Sequence, residues 1–160
     1  MPAFFEKLGI SFQYPETWEL DDQLEGGDAR TVSVQSPEGA FWMLSMHRSD
    51  ESPERLCQAA IKTFQEEYQQ IDVVASREEY HAIELLGYEL NFYCLDLTTT
   101  ALIQAATTRQ GTLMILAQAE DRQFERIAPV FQAINASLLE DEEVESGEWR
   151  VESRESRVES

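Results

Sequence analysis

The feature that most constrains this 160-residue chain is a change of period, made twice. Most of the chain alternates apolar and polar residues one by one, as a half-buried strand does. Two segments switch to the three-and-four spacing of an amphipathic helix. Ile10, Phe12 and Tyr14 point one way and Ser11 and Gln13 the other, until Pro15, which has no N–H for a ladder, ends the strand. DDQLEGGDA (21–29) is a loop by composition, with Gly26-Gly27 at its tip. RTVSVQS then alternates with Val32 and Val34 inward, and SPEG (36–39) turns the chain into AFWMLSMHR. That third strand is apolar on both faces, Phe41 and Met43 on one, Trp42, Leu44 and Met46 on the other. Such a strand is covered on both sides or central in its sheet.

The first change of period comes at Ser52-Pro53, an N-cap hydroxyl followed by proline at the first helical position. Leu56, Cys57, Ala60, Ile61, Phe64 and Tyr68 then form an apolar stripe. IDVVASRE and YHAIELLGYELNFYCLDL return to strand composition, with Gly87 expected at a bulge or bend and Tyr88, Leu90, Phe92 and Cys94 sharing a face. TALIQAATTR and GTLMILAQAE complete a meander, joined near Arg109-Gln110-Gly111. The second helix starts at Asp121 and keeps Phe124, Ile127, Phe131, Ile134 and Leu138 on one face. Pro129 interrupts it and removes a backbone hydrogen bond, which predicts a kink or an irregular first turn with the regular helix from near Ala128.

Residues 1–139 suit one domain, long enough to bury its own core. Residues 140–160 differ in kind. Val-Glu-Ser recurs there at 144, 151 and 158, giving about one apolar position per heptad where a coiled coil needs two, so a disordered or frayed acidic tail is expected. Net charge is −19; the tail's nine acids and three arginines account for −6, leaving −13 on residues 1–139. A body of that sign repels phosphate backbones and favours basic proteins or cations. No apolar run reaches the ~20 residues needed to span a bilayer, and the N-terminus lacks a secretory pattern. Cys57 and Cys94 fit no CxxC pattern or disulfide framework. These readings lead to the expectation of a cytoplasmic protein with two reduced thiols, binding neither nucleic acid nor membrane.

ISFQYPETWEL at the head of the chain and FERIAPVFQAINASLL at its end resemble the PsbP-like superfamily. That group includes the extrinsic photosystem II subunit, a Ran-binding nuclear import factor and many uncharacterised bacterial proteins. The matching features are Tyr14-Pro15 followed by Trp18, the glycine-bearing strand around Gly87, and the closing helix with Phe131, Ile134 and Ser137. The resemblance runs over about residues 4–139. It implies an α+β fold, an antiparallel sheet flanked by helices in an α/β/α sandwich. Tyr14-Pro15-Glu16-Thr17-Trp18 then reads as a corner in which Trp18 folds back to cover the sheet edge.

The sequence holds no nucleophile elbow, phosphate-cradling glycine loop, zinc-protease helix or dinucleotide fingerprint. His47 and His81, with acids near each, have no spacing that requires them to meet at a metal. EDEE (140–143) lacks the alternating ligands of a calcium loop, and Asn135-Ala136-Ser137 matches a glycosylation sequon inside a predicted helix. No cofactor is implied. The expected function is a non-catalytic adaptor or assembly module that binds a protein partner. Its candidate contact residues are Trp42, Leu44, Met46 and Tyr93, should their sheet face stand open. The alternative is a small-ligand binder or enzyme with a cleft between sheet and helix.

Overall fold

The computed structural model describes residues 2–24 and 30–154, with side chains as far as Glu140. Among the described residues, the hairpin β1 (Pro2–Lys7) and β2 (Ile10–Pro15) is a small sheet of its own. The large sheet follows: β3 (Glu19–Gln23), β4 (Arg30–Gln35), β5 (Phe41–His47), β6 (Asp72–Tyr80), β7 (Ile83–Cys94), β8 (Leu97–Thr108) and β9 (Gly111–Glu120). Helix α1 (Pro53–Glu67) connects β5 to β6, and α2 (Asp121–Arg154) follows β9. The sheet order is β3-β4-β5-β9-β8-β7-β6, antiparallel throughout. Strand β9 therefore inserts between β5 and β8 and joins the early hairpin to the late meander.

Residue parity along each strand divides the side chains between two cores. On one face Trp42 opposes Ala117, Leu44 opposes Ile115 and Met46 opposes Leu113; these pack with Phe131, Ile134 and Leu138 of α2 and with Phe5, Ile10 and Phe12 of the small hairpin. On the other face Leu90, Phe92, Ala101, Ile103 and Ala105 pack beneath Cys57, Ile61 and Phe64 of α1. This is the helix–sheet–helix layering expected, with a two-stranded hairpin added to the α2 layer. Helix α1 starts as the sequence predicts, the Ser52 hydroxyl accepting a hydrogen bond from the Arg55 N–H at 3.3 Å with Pro53 at the first turn.

Four points go beyond or depart from the sequence reading. Strand β1 was not foreseen, and β3 begins within a segment read as corner and loop. An edge strand of sequence ELDDQ is mostly exposed and carries no apolar alternation. Gly87 marks no bulge: the ladders run through it unbroken, pairing it with Ser76 and Gln104. Its hydrogen makes room, since a Cβ would lie 3.0 Å from both the Ile103 carbonyl oxygen and the Ser76 hydroxyl. The regular helix does not wait for Ala128, because α2 starts at Asp121 and carries Pro129 inside it, exposed beside exposed Glu125 and Arg126. The chain remains helical through Glu140 to Arg154, while residues 155–160 lie outside the described residues.

Candidate functional site

The Tyr-Pro-x-x-Trp corner is a structural joint. The Trp18 N–H donates to the Pro15 carbonyl at 3.0 Å, closing the turn. The buried Trp18 ring meets Phe131 of α2 edge-on, centroids 6.1 Å apart, rather than covering the sheet edge. Nearly two turns along α2, the Ser137 hydroxyl accepts from the Gln13 N–H at 2.9 Å and donates to the Ile134 carbonyl. Residues that looked like family marks thus hold the small hairpin on the helix. Asn135 of the sequon is buried and occupied: it accepts from Trp42 Nε1 at 2.9 Å and donates to Gln104 Oε1 at 3.1 Å. Gln104 donates in turn to Glu78 at 2.8 Å, and the Tyr80 hydroxyl donates to the same carboxylate oxygen at 2.7 Å. Burial first, then the Glu78 carboxylate, push the Tyr80 phenol far above its ordinary pKa, so it stays a neutral donor. The chain of side chains from Trp42 to Tyr80 pins α2 to the sheet through satisfied polar groups.

The candidate contact residues do not form one surface. Trp42 and Leu44 have no exposed surface, and Met46 is half-buried against the same core. The physical reason is parity: the even-numbered residues of β5 face α2 and the small hairpin, which cover them. The odd-numbered face carries Phe41 and Met43, half-buried beyond the reach of α1's apolar stripe. Tyr93 alone of the four is in solvent, at 66% exposure. It stands at the tip of the β7–β8 hairpin with Leu95, 92% exposed, and Leu97, 48% exposed.

The backbone of that tip is left-handed, as it is at the Leu8-Gly9 turn between β1 and β2. Leu95 and Asp96 both hold left-handed φ, 54° and 67°. A two-residue turn with positive φ at both positions is the hairpin arrangement that normally selects Asn-Gly or Asp-Gly. A leucine there carries conformational strain of about 1–2 kcal/mol and leaves its side chain in water. His81-Ala82 makes the same turn at β6–β7, but there the His81 ring binds the Ala136 carbonyl of α2 at 3.0 Å and so serves packing. Glu67 at the end of α1 lines a small cleft with Tyr93, and Asp96 occupies the turn itself, so the apolar tip is bordered by acids.

Concave features lie elsewhere. A cleft of about 730 Å³ separates the small hairpin from α2, with Tyr14, Pro15, His81, Ile134 and Ser137 among its walls. A second cavity, at the β8–β9 turn, contains His47. The two histidines line different cavities, and among the described residues no group of three or more His, Cys, Asp or Glu could hold a metal. Cys57 is buried on the sheet-facing side of α1, where burial and then the Glu54 carboxylate push its thiol up to about 11. Cys94 is half-buried and accepts from the Tyr68 hydroxyl at 3.8 Å. No described helix is long and apolar enough to cross a membrane.

No family model and no curated protein matches the sequence. Solved structures do match it. Cyanobacterial PsbP (CyanoP) from Synechocystis sp. PCC 6803 superposes with a TM-score of 0.56 at 15% identity, covering 86% of this chain and 89% of that one. The chain has a PsbP-like fold. A protein of unknown function from Pseudomonas aeruginosa, PA94, described as a putative regulator, also matches with a TM-score of 0.50 at 10% identity, over 86% of this chain and 95% of its own. Identities this low carry the PsbP-like architecture and no site. The β7–β8 tip was invisible to sequence reasoning because LDL within an apolar strand run contains no turn residue that demands attention. The signal available was Leu95-Asp96 itself, flanked by two apolar stretches of matching period.

Proposed function

We propose that this PsbP-like domain is a non-catalytic protein-binding module whose contact surface is the β7–β8 tip. The observation that carries the reading is Leu95, an almost fully exposed leucine held at φ 54° between exposed Tyr93 and Leu97. Large apolar groups that weaken the folded state are retained where they act, and aromatic and aliphatic anchors within a charged rim are how protein interfaces are built. Asp96 and Glu67 at the border, on a body of net −13 in residues 1–139, favour a partner with an apolar pocket ringed by lysine or arginine. The setting that fits is one that keeps Cys57 and Cys94 reduced.

The test compares the full chain with a variant carrying Tyr93→Ser, Leu95→Gly and Leu97→Thr as baits in native lysate. A protein held by the wild type and lost by the tip variant supports the reading. Phe4→Ser removes another exposed apolar side chain, 73% exposed on β1, and should leave that capture intact. A partner retained equally by the tip variant overturns it.

A further inference from the structure

Strand β6 ends the large sheet, and all nine of its residues pair with β7 without a bulge. Along a strand paired on one side only, alternate N–H and C=O groups point outward with no ladder to join. Such edges are ordinarily guarded by charge, proline, a bulge or a covering element. The opposite edge, β3, is guarded: its sequence ELDDQ is mostly acidic, and Lys7 of the small hairpin pairs with Asp22 at 3.0 Å. The first half of β6 is not. Val73 and Val74, 37% and 58% exposed, lie on opposite faces of the sheet beside Leu90 and Glu89. Among the described residues, five of the seven exposed large apolar side chains are these two valines and Tyr93, Leu95 and Leu97 of the neighbouring tip. We propose that the β6 edge accepts an extended, lysine- or arginine-bearing segment of another protein as an eighth strand, its apolar side chains lying against Val73 and Val74. The proposal rests on the edge and not on the tip, so either reading can fail alone.

Charge selects the occupant. Asp72 and Glu79 are exposed toward the two ends of the strand, and Glu89 is exposed opposite Val74. The Asn91 amide donates to Glu89 at 3.3 Å but leaves its charge in place. Glu78 belongs to the polar chain under α2 and takes no part. The one cation of β6, Arg77, already pairs with Glu84 at 3.4 Å. A second copy would bring the same carboxylates to the same edge, on a body of net −13 in residues 1–139, so self-pairing is opposed. A basic strand is instead attracted at long range. In strand addition the main-chain hydrogen bonds give affinity, and the alternate side chains give specificity. Val73 and Val74 offer such a strand one apolar neighbour on each face, which an edge guarded by charge does not.

The probe is the end-blocked peptide Lys-Val-Thr-Val-Lys-Val-Thr, titrated into the isotope-labelled full chain and followed by NMR. The β6 amides that face away from β7 should shift and gain protection from solvent exchange, while those of β3 stay unchanged. Val74→Lys, at a side chain already in solvent, should keep the melting temperature and weaken the peptide roughly fivefold to tenfold. Asp72→Asn with Glu79→Gln should weaken it roughly twofold to tenfold and flatten its dependence on salt. The same peptide N-methylated at two adjacent central residues, which blocks both of its edges, should lose at least about tenfold in affinity, as should a version with glutamate for lysine. The variant Tyr93→Ser, Leu95→Gly and Leu97→Thr should still bind the peptide on β6. No protection in β6, equal affinity for the N-methylated peptide, or binding lost in the tip variant but kept by Val74→Lys would each overturn the proposal. So would a dimer of the chain alone, seen by sedimentation and dissolved by Val74→Lys, since the edge would then belong to a second copy.

Discussion

Beneath α2, Trp42 has no exposed surface and its indole N–H is held by Asn135; at the β7–β8 tip, Tyr93 and Leu95 stand in water on a strained turn. Both regions are rich in large apolar residues, and both lie on strands of the same sheet. What separates them is the number of layers above. The α2 face receives a helix and a hairpin, each positioned by a specific joint, Trp18 on Phe131 and Ser137 on Gln13. The tip projects past Asp72, the first residue of β6, and past the end of α1, so that among the described residues Tyr93, Leu95 and Leu97 stay exposed. If the tip is the contact surface proposed above, the sealed region reports on stability and the open one on binding, and the two should respond oppositely to mutation.

The largest expected effect is at the sealed face. Trp42→Ala removes a fully buried ring that packs on Phe12 with centroids 4.9 Å apart, and leaves the Asn135 carbonyl oxygen without its indole donor. A loss of about 3–5 kcal/mol is expected in chemical denaturation. Trp18→Ala should approach that cost, while Tyr93→Ala should stay within about 0.5 kcal/mol of wild type. Comparable losses at Trp42 and Tyr93 would erase the distinction between the regions.

A middle-sized effect tests whether the polar chain is part of the seal. Gln104 is buried and bridges Asn135 to Glu78. Gln104→Ala leaves the Asn135 amide N–H and the Glu78 carboxylate short of a partner, a cost of about 1–3 kcal/mol. If unfolding in denaturant shows no change, the network is incidental to the packing of α2.

Thiol chemistry samples the α1 face. With its pKa pushed up to about 11, Cys57 is almost wholly the unreactive thiol at pH 7, and burial blocks access. Labelling by a disulfide reagent should proceed only through opening of α1, and should speed up in mild denaturant in step with loss of helix. Fast stoichiometric labelling of Cys57 in the native chain would show that the α1 layer is looser than its core implies.

The elements with strong local signals were legible in the sequence. Ser52-Pro53 placed the start of α1, SPEG placed the β4–β5 turn with Gly39 at φ 100°, and the five-residue stripe from Phe124 to Leu138 gave the buried face of α2. Strand β3 was not legible, because an acidic edge strand owes its pairing to its neighbour Arg30–Gln35 rather than to its own pattern. The parity of β5 was read correctly, but which parity is covered depends on where α2 and the small hairpin land, information held by residues as far as 93 positions away. For that reason Trp42 and Leu44 could be offered as contact residues only on the condition that their face stood open, and Leu95 was passed over. A strained turn leaves no trace in hydrophobic periodicity.

The smallest effect on stability is the most decisive for the comparison, because its sign is opposite to the others. At φ 54° Leu95 occupies a conformation that glycine adopts without penalty. Its side chain makes no buried contact to lose, being 92% exposed. Two terms then act on Leu95→Gly. Relief of the left-handed strain favours the folded state, while glycine's greater freedom in the unfolded chain opposes it by up to about 1 kcal/mol. At a position with positive φ the first term exceeds the second, so the variant should be more stable by roughly 0.5 kcal/mol. A substitution that stabilises the domain while abolishing partner capture would show that Leu95 is retained for contact and at the fold's expense. Leu95→Asn supplies the control, since asparagine also tolerates left-handed φ but presents a polar side chain. It too should match or exceed wild-type stability and lose the partner. If instead Leu95→Gly lowers Tm, the leucine is packed in solution, and the tip belongs with the sealed region after all.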